Sequence, residues 1–499
     1  MLIKDILIKN IQVQTKDKIA LYYGDQILTY EELFKSVMNH KSNLDGKPEL
    51  CGNWGILLPN STDYIIAYFL ITFLDNTIVP LNVNEKEKEL QATVASCNIN
   101  LIITNSSIIE KCKNNLSDFA SSMSFYNIDT GVLQVSNKTC KQKTEQKPQT
   151  ENDTVLLLHT SGTGKLSKRV MLTHNNLISN IKSIIQSLKI SEKDCSLILL
   201  PLQYASANTS QFLAHFYMGA SITIMKGPFL PSNVIYLLNK EYITNITCVP
   251  YLLLVLFEKL PKEKLANSPL RYVCFGGGPS PIQRIKPIIE RFSEIEFIHM
   301  YGQTEASTRI THLLGPDSLT KLGSVGKPIP GVEVKILGAQ NTIAKTNEKG
   351  EIIVRGNNVM KGYYNHNEIT SETIKDGWLH TGDIGYKDED DFIFITGRKR
   401  NIIIKAGTNI YPEEIEEVLL YHPQIKEALV YGEYDDDFGE IPVAKVTIKK
   451  QTKGTLEKEI ISFCKSWLSD FKIPQKIYIV DKLEKTLTGK IIRSKEVLQ

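Results

Sequence analysis

The feature that most constrains the fold is a recurrence. Short apolar runs, bounded by Gly, Pro, Asn or Asp, alternate with helical patterns through the first two thirds of the chain. The runs "WGILLP", "TIVPLN", "NLIITN", "TVLLLH", "SLILLP", "SITIM", "ITCVP" and "YVCFGG" read as strands. Strands alternating with helices predict an α/β fold with layered, largely parallel sheets. Near residue 320 the texture changes. "GVEVKIL", "GEIIVRG" and "FIFITGR" are short strands between Gly, Asp and Asn turns, which predicts a β-rich subdomain. After "GRKRN" (397–401) comes a tail of helix, two strands, a second helix and a basic end, the pattern of a small α+β domain. At 499 residues the chain is too long for one core. The expected division is a large domain over 1–397 and a small C-terminal domain over 402–499, with 398–401 between them.

Composition removes several classes. A net charge of +3 gives no polyanion footprint, so nucleic acid is not the expected partner. The eight cysteines are scattered without short spacings, which suggests neither a disulfide framework nor a zinc site and fits a reducing cytosol. The longest apolar run, "YIIAYFLITFL" (64–74), lies between Asp63 and Asp75 and is too short to span a bilayer. It reads as a buried helix. The expectation is a soluble, cytoplasmic protein with no membrane partner.

Chemistry collects at the ends of the expected strands, where ligands of α/β folds bind. "TSGTGKLSKRV" (160–170) follows one strand and precedes the helical pattern "THNNLISNIKSIIQSL", so it reads as a polar strand-to-helix turn able to hold phosphate. It is not a Walker A loop, because His159 stands where the first Gly belongs and Leu166 where the metal-binding hydroxyl belongs. "YGQTE" (301–305) offers a hydroxyl at Thr304 and a carboxylate at Glu305, donors that suit phosphate and Mg²⁺. "FGGGP" (275–279) carries Gly276, Gly277 and Gly278, a backbone that a flat base can approach. "HTGD" ends in Asp383, able to accept from two ribose hydroxyls, and "GR" supplies the fork of Arg398. "LTGKIIR" (487–493) places Lys490 after a glycine late in the chain.

Taken together and in this order, these motifs resemble those of the adenylate-forming superfamily of acyl-CoA synthetases, peptide-synthetase adenylation domains and luciferases. The resemblance runs from "LTYEEL" (28–33) to "KTLTGKIIR" (485–493) and includes "GEIIVRGNNVMKGYY", "GWLHTGDIGY", "GRKRNIIIKAGTNIYPEEIE" and "FKIP". It implies an AMP-forming ligase that uses ATP and Mg²⁺ in two half-reactions, adenylation of a carboxylate and then transfer to a thiol. Position by position, it implies that Thr160, Ser161, Gly162, Thr163 and Lys168 hold the β- and γ-phosphates. Thr304 would meet the α-phosphate and Glu305 the metal. Gly276 to Gly278, Tyr301 and Gly302 would flank the adenine, Asp383 would hold the ribose with Arg398 assisting, and Lys490 would bridge the substrate carboxylate and the α-phosphate. The small domain would be mobile, turning about Arg400 between half-reactions.

The phosphate loop departs from the family pattern. Gly164, Lys165, Ser167 and Arg169 stand where Thr, Gly, Pro and Gly are usual. One backbone-permissive glycine is lost and two positive charges arrive, so the expected loop binds pyrophosphate through charge more than backbone. The acid is less constrained. Tyr204, Ser206, Asn208 and Ser307 are the candidate pocket residues, and no Asp or Glu lies between Gln203 and Phe216 to pair a substrate ammonium. The leading expectation is a stand-alone ligase for a small carboxylic acid, such as the amino acid proline, that loads the phosphopantetheine of an acyl or peptidyl carrier protein. The alternative is an acyl-CoA synthetase for a fatty or aryl acid, with CoA as acceptor. A third is a nucleotide-binding pseudoenzyme.

Overall fold

The computed structural model describes residues 1–13, 16–46, 51–115, 117–136, 148–159, 168–240, 242–278, 280–406, 408–435, 437–449, 456–485 and 491–493. Two large sheets dominate. One has nine strands, in the order Lys327–Pro328, Thr311–Leu313, Glu296–Tyr301, Tyr272–Gly276, Asn245–Cys248, Cys195–Ile198, Ser221–Ile224, Ile19–Tyr23 and Gln26–Thr29. The other has eight, from Gly362–Tyr363 through Arg169–Thr173, Thr154–His159, Thr77–Pro80, Asn53–Ile56, Ile99–Thr104 and Phe125–Asn127 to Val132–Gln134. All eight apolar runs read as strands lie in these sheets. Their central pairings are parallel, with antiparallel strands at the edges.

One apolar core joins both sheets through helices that belong to neither surface. The helix Thr62–Phe73 is capped by Ser61, whose Oγ accepts from the Tyr64 amide, and is buried from Tyr64 to Thr72. Its Phe69 ring meets Phe212 and Phe216 at centroid distances of 5.7 and 5.9 Å. Such edge and offset contacts add to the burial of the rings themselves. The expected buried helix is therefore the packing centre of the large domain. Among the described residues no helix is long and apolar enough to cross a membrane.

The phosphate-loop region differs from its sequence reading. "TVLLLH" is a strand, Thr154–His159, but a second strand, Arg169–Thr173, returns antiparallel beside it, with His159 opposite Arg169. The helix begins only at His174, where Thr173 and Asn176 form a capping box. Residues 160–167 thus join two strands, and a helix N-terminus does not follow the loop. The short β-branched run "RVMLT" pairs along a strand edge before the capping signal can act. Thr160, Ser161, Gly162 and Thr163 themselves lie outside the described residues.

The β-rich part is a five-stranded sheet of Val332–Leu337, Gly350–Gly356, Trp378–Lys387, Ile374–Lys375 and Ile393–Arg398. Beyond it a smaller domain has its own sheet, with strands Ile403–Lys405, Thr408–Ile410, Ile425–Asp435, Gly439–Ile448 and Lys476–Ile479. The helices Pro412–Tyr421 and Leu456–Lys465 pack on it, burying Ile415, Leu419 and Ile460 against Val430, Ala444 and Val446. The molecule is a large N-terminal body of α/β sheets followed by a small C-terminal domain.

Candidate active site

Two parallel strands of the nine-stranded sheet, Tyr272–Gly276 and Glu296–Tyr301, end side by side with Gly276 opposite Met300. The three glycines after the first strand serve different ends. A Cβ on Gly276 would stand 2.1 Å from the Met300 carbonyl, so this glycine permits the strands to close. Gly277 has φ +79°, and Gly278 faces open space apart from Pro250 at 4.0 Å. Nothing lies within 4 Å of where a Cβ on Gly277 would stand, so Gly277 and Gly278 both leave their backbone bare, and Gly276 answers to the protein's own geometry.

After the second strand the chain makes a tight, strained loop. A Cβ on Gly302 would lie 1.7 Å from the Thr308 carbonyl, so only glycine allows the loop to close on itself. Ser307 and Thr308 take φ of 58° and 118°. Such conformations cost on the order of 1–3 kcal/mol each and persist only when their surroundings impose them. Here Ser307 Oγ donates to the Asn358 carbonyl at 2.7 Å, and Asn358 Nδ2 donates to the Ala306 and Arg309 carbonyls at 3.1 and 3.2 Å. Ser307, read as a pocket residue, is therefore occupied in holding the loop. The loop leaves Thr304 and Glu305 half-buried.

Asp383 and Arg398 sit opposite each other on adjacent strands. Asp383 is 3% exposed; its Oδ1 accepts from Arg398 Nε at 2.7 Å and its Oδ2 from the Tyr301 hydroxyl at 2.7 Å. The carboxylate beside it holds Arg398 above its ordinary range, while burial and the same carboxylate push the Tyr301 phenol up. Three of the expected residues thus form one hydrogen-bonded unit joining the large sheet to the β-rich part. A second unit forms at the phosphate side. Tyr363 donates to Glu305 Oε1 at 2.9 Å, and Lys168 Nζ stands 5.2 Å over the Tyr363 ring. Glu305 Oε2 and Thr304 Oγ1 bond to no other described residue, leaving oxygen donors for a phosphate or a hard cation. Arg169 does not join them. It is 5% exposed and donates to Thr93 Oγ1 at 3.0 Å, so its charge stays inside the fold and the loop is less cationic than its sequence suggested.

The expected pocket wall is a π-helical stretch, Ser206–Leu213, of the kind that collects at functional sites. Tyr204 precedes it, with its hydroxyl pushed up by burial. Asn208 is fully buried; Tyr68 donates to its Oδ1 at 3.1 Å, and its Nδ2 has no partner among the described residues. Ser206 faces a residue the sequence did not single out, Arg309, whose Nη2 donates to Ser210 Oγ at 2.9 Å and to Ser206 Oγ at 3.4 Å. A lone arginine in the strand-like pattern "TRITHLL" carries no signal of burial, which is why it was missed.

The small domain approaches the same strand ends. Lys485 Nζ stands 5.3 Å from the ring of Tyr251, next to the Pro250 that borders Gly278, and Lys485 bridges Ile491 across residues 486–490. Lys490 lies outside the described residues, but its downstream flank is anchored. Arg493 donates to the Val430 carbonyl at 2.9 Å and to both oxygens of Glu416, which is 5% exposed. Across the domain border Glu414 accepts from Lys349 of the β-rich part and, at 2.6 Å, from Lys472. Arg400 is exposed in the turn Lys399–Asn401 between the two parts.

Comparison with known proteins agrees with this arrangement. Residues 9–364 match the model of the AMP-binding enzyme family, and residues 414–490 match the AMP-binding enzyme C-terminal domain. The chain is 31% identical over 484 residues to a 2-succinylbenzoate–CoA ligase of Bacillus subtilis, covering 96% of this chain and 95% of that one. It is 30% identical over 482 residues to the ligase of the same name from Bacillus licheniformis, with 96% and 97% covered. Among solved structures, the o-succinylbenzoate CoA synthetase of Bacillus subtilis bound to its acyl-adenylate intermediate superposes with a TM-score of 0.86 at 29% identity, covering 98% of this chain and 97% of that one. The same enzyme with ATP and magnesium ion also gives 0.86. These relatives favour the acyl-CoA synthetase reading over the amino-acid, carrier-loading one. From the matched motifs, the converging strand ends and the two-domain layout, the chain belongs to the AMP-binding enzyme family of adenylate-forming ligases.

Proposed function

We propose that this protein is an AMP-forming acid–CoA ligase acting on a carboxylic acid of the aryl or acyl type. The observation that carries this reading is its similarity, over 96% of the chain, to 2-succinylbenzoate–CoA ligases. In the first half-reaction a carboxylate oxygen attacks the α-phosphorus of ATP, the bond to the bridging oxygen breaks, and pyrophosphate leaves. In the second, the thiolate of CoA attacks the acyl carbon, the bond to the phosphate oxygen breaks, and AMP leaves. Both steps need positioning and charge stabilisation rather than a protein nucleophile.

The site residues divide these tasks. Asp383, held by Tyr301 and Arg398, accepts the ribose hydroxyls, and Gly278 gives the base room. Thr304 meets the α-phosphate. Glu305, with an unengaged oxygen, would hold Mg²⁺, which when bound offsets charge on the phosphates. Lys168 extends the phosphate loop, and Lys490 bridges the two reacting groups. The small domain turns at 398–401, withdrawing Lys490 and admitting the thiol. The cross-domain contact of Glu414 with Lys349 supports a docked state that must open.

The test is ATP–pyrophosphate exchange against a panel of aryl, fatty and amino acids, followed by thioester formation with CoA or a holo carrier protein. Exchange with an aryl or acyl acid and a CoA thioester are expected. Exchange confined to amino acids, or thioester formed only on the carrier, would overturn the proposal. Lys490→Ala is expected to abolish exchange while preserving thioester formation from supplied acyl-adenylate.

A further inference from the structure

Arg309 is a buried site residue whose charge meets no carboxylate among the described residues. It is 3% exposed, and burial pushes it down to about 10. Among the described residues its side chain bonds only to the hydroxyls of Ser206 and Ser210, and Nε has no partner. Burying a cation without an anion is costly, and folded proteins avoid it unless the charge has a use. The backbone is fixed independently of the side chain. The Arg309 carbonyl accepts from Asn180 Nδ2 at 2.9 Å and from Asn358 Nδ2 at 3.2 Å.

Its position gives that charge a use. Arg309 comes directly after the strained loop that carries Thr304 and Glu305, and it faces the π-helical wall through Ser206 and Ser210. The Ser210 hydroxyl also donates to the Ser206 carbonyl at 2.6 Å, which stacks the two serines on the side of the guanidinium. Two further buried polar atoms lie within reach of its charge and lack partners: the Tyr272 hydroxyl and His312 Nε2. The other ring nitrogen of His312 is already engaged by Ser187 Oγ at 2.7 Å. A buried guanidinium answered only by two hydroxyls is the complement of an anion.

We propose that Arg309 closes the acyl pocket and that the acid this enzyme activates carries a second anionic group, bound by that guanidinium while the first carboxylate is adenylated. This rests on the acid–CoA ligase reading and adds the chemistry of the far end of the substrate. A pocket built around a buried charge rejects an isostere lacking the matching group far more strongly than an apolar pocket rejects a missing methylene.

The test compares matched acids in ATP–pyrophosphate exchange: 2-succinylbenzoate against 4-oxo-4-phenylbutanoate, and pentanedioate against pentanoate. Wild type is expected to favour the dianionic member of at least one pair by about 100-fold or more in kcat/KM. Arg309→Met should bring that preference below about 3-fold through loss of the diacid alone, and Arg309→Lys should restore part of it. The melting temperature without ligand separates function from structure. Removing an unpaired buried charge should leave it unchanged or raise it, whereas a structural arginine would lower it. Preference for the monoacids, equal loss of both members, or a lower melting temperature that Lys restores without restoring the preference would overturn the proposal. If wild type exchanges with none of these acids, the ligase reading fails first and binding decides the role of Arg309. Thermal stabilisation by millimolar diacid, present in wild type and absent in Arg309→Met, supports it; none in either protein refutes it.

Discussion

The anchoring of the last described residues offers the sharpest test of how the small domain serves the first half-reaction. Arg493 ties the flank of Lys490 to the core of the small domain through the carboxylate of Glu416 and the Val430 carbonyl. Arg493→Met keeps the aliphatic stem and removes all three bonds. Breaking a buried ion pair on one side costs about 3–5 kcal/mol when the remaining charge is stranded. That ceiling is not reached here. Burial pushes the Glu416 carboxyl up to about 7, so at neutral pH it takes up a proton instead of staying charged. About 2 kcal/mol then remains as the loss in docking of the segment, or about 30-fold.

The expected result is a roughly 30-fold fall in ATP–pyrophosphate exchange, with thioester formation from supplied acyl-adenylate within about 3-fold of wild type. The asymmetry follows because Lys490 is proposed to act in adenylation alone. Equal losses in the two assays would show that Arg493 supports the whole domain and not the placement of Lys490. An unchanged exchange rate would show that the anchor is dispensable.

Gly302→Ala drives a Cβ into the Thr308 carbonyl and must displace the loop bearing Thr304 and Glu305; exchange should fall at least about 100-fold, and an active variant with wild-type ATP dependence would disprove the steric reading. Asp383→Asn replaces a charged acceptor of two bonds by an amide, and the KM for ATP should rise about 10- to 100-fold, at about 1.5–3 kcal/mol; a change below twofold would remove Asp383 from the nucleotide site. Stability should decline in mild acid. Burial pushes His174, His215 and His299 down to about 4 and His312 to about 3, against 6.5 in the unfolded chain. Groups held neutral in this way contribute fully above pH 6.5 and lose that contribution as pH falls toward 4. At pH 5.5 each loses about 1.4 kcal/mol, and together they should lower the melting temperature of so long a chain by roughly 5 °C relative to pH 7.5. A flat profile by circular dichroism would contradict it.

The strands of both large sheets were legible because continuous apolar runs bounded by turn residues have few other fates. The buried helix Thr62–Phe73 was legible for the same reason. The hairpin at Arg169–Thr173 was not, since a five-residue run beside a strong helical pattern merges with it by eye. The capping pair Thr173 and Asn176 was the signal available there. Motif order located Asp383, Arg398 and Tyr301, yet their union across two sheets depends on register, which no local pattern encodes. The loop-holding bond of Ser307 was not legible, because a serine in a left-handed conformation looks like any polar residue until its Asn358 partner is seen. Arg309 was silent because the absence of a counter-ion is a property of three-dimensional surroundings.

The hairpin that carries the phosphate loop also bears on how such an enzyme can change. A loop at a helix start is constrained twice, by its ligand and by the cap it must provide. A loop between two strands has no such cap to provide. In the sequence the unusual Gly164, Lys165 and Ser167 fall between two strands and not directly before a helix. Without a helix dipole to draw on, attraction for pyrophosphate falls to side chains such as Lys168, and mobile ions screen exposed side chains readily. Turnover in this enzyme should therefore be tunable by salt and by substitution between the two strands.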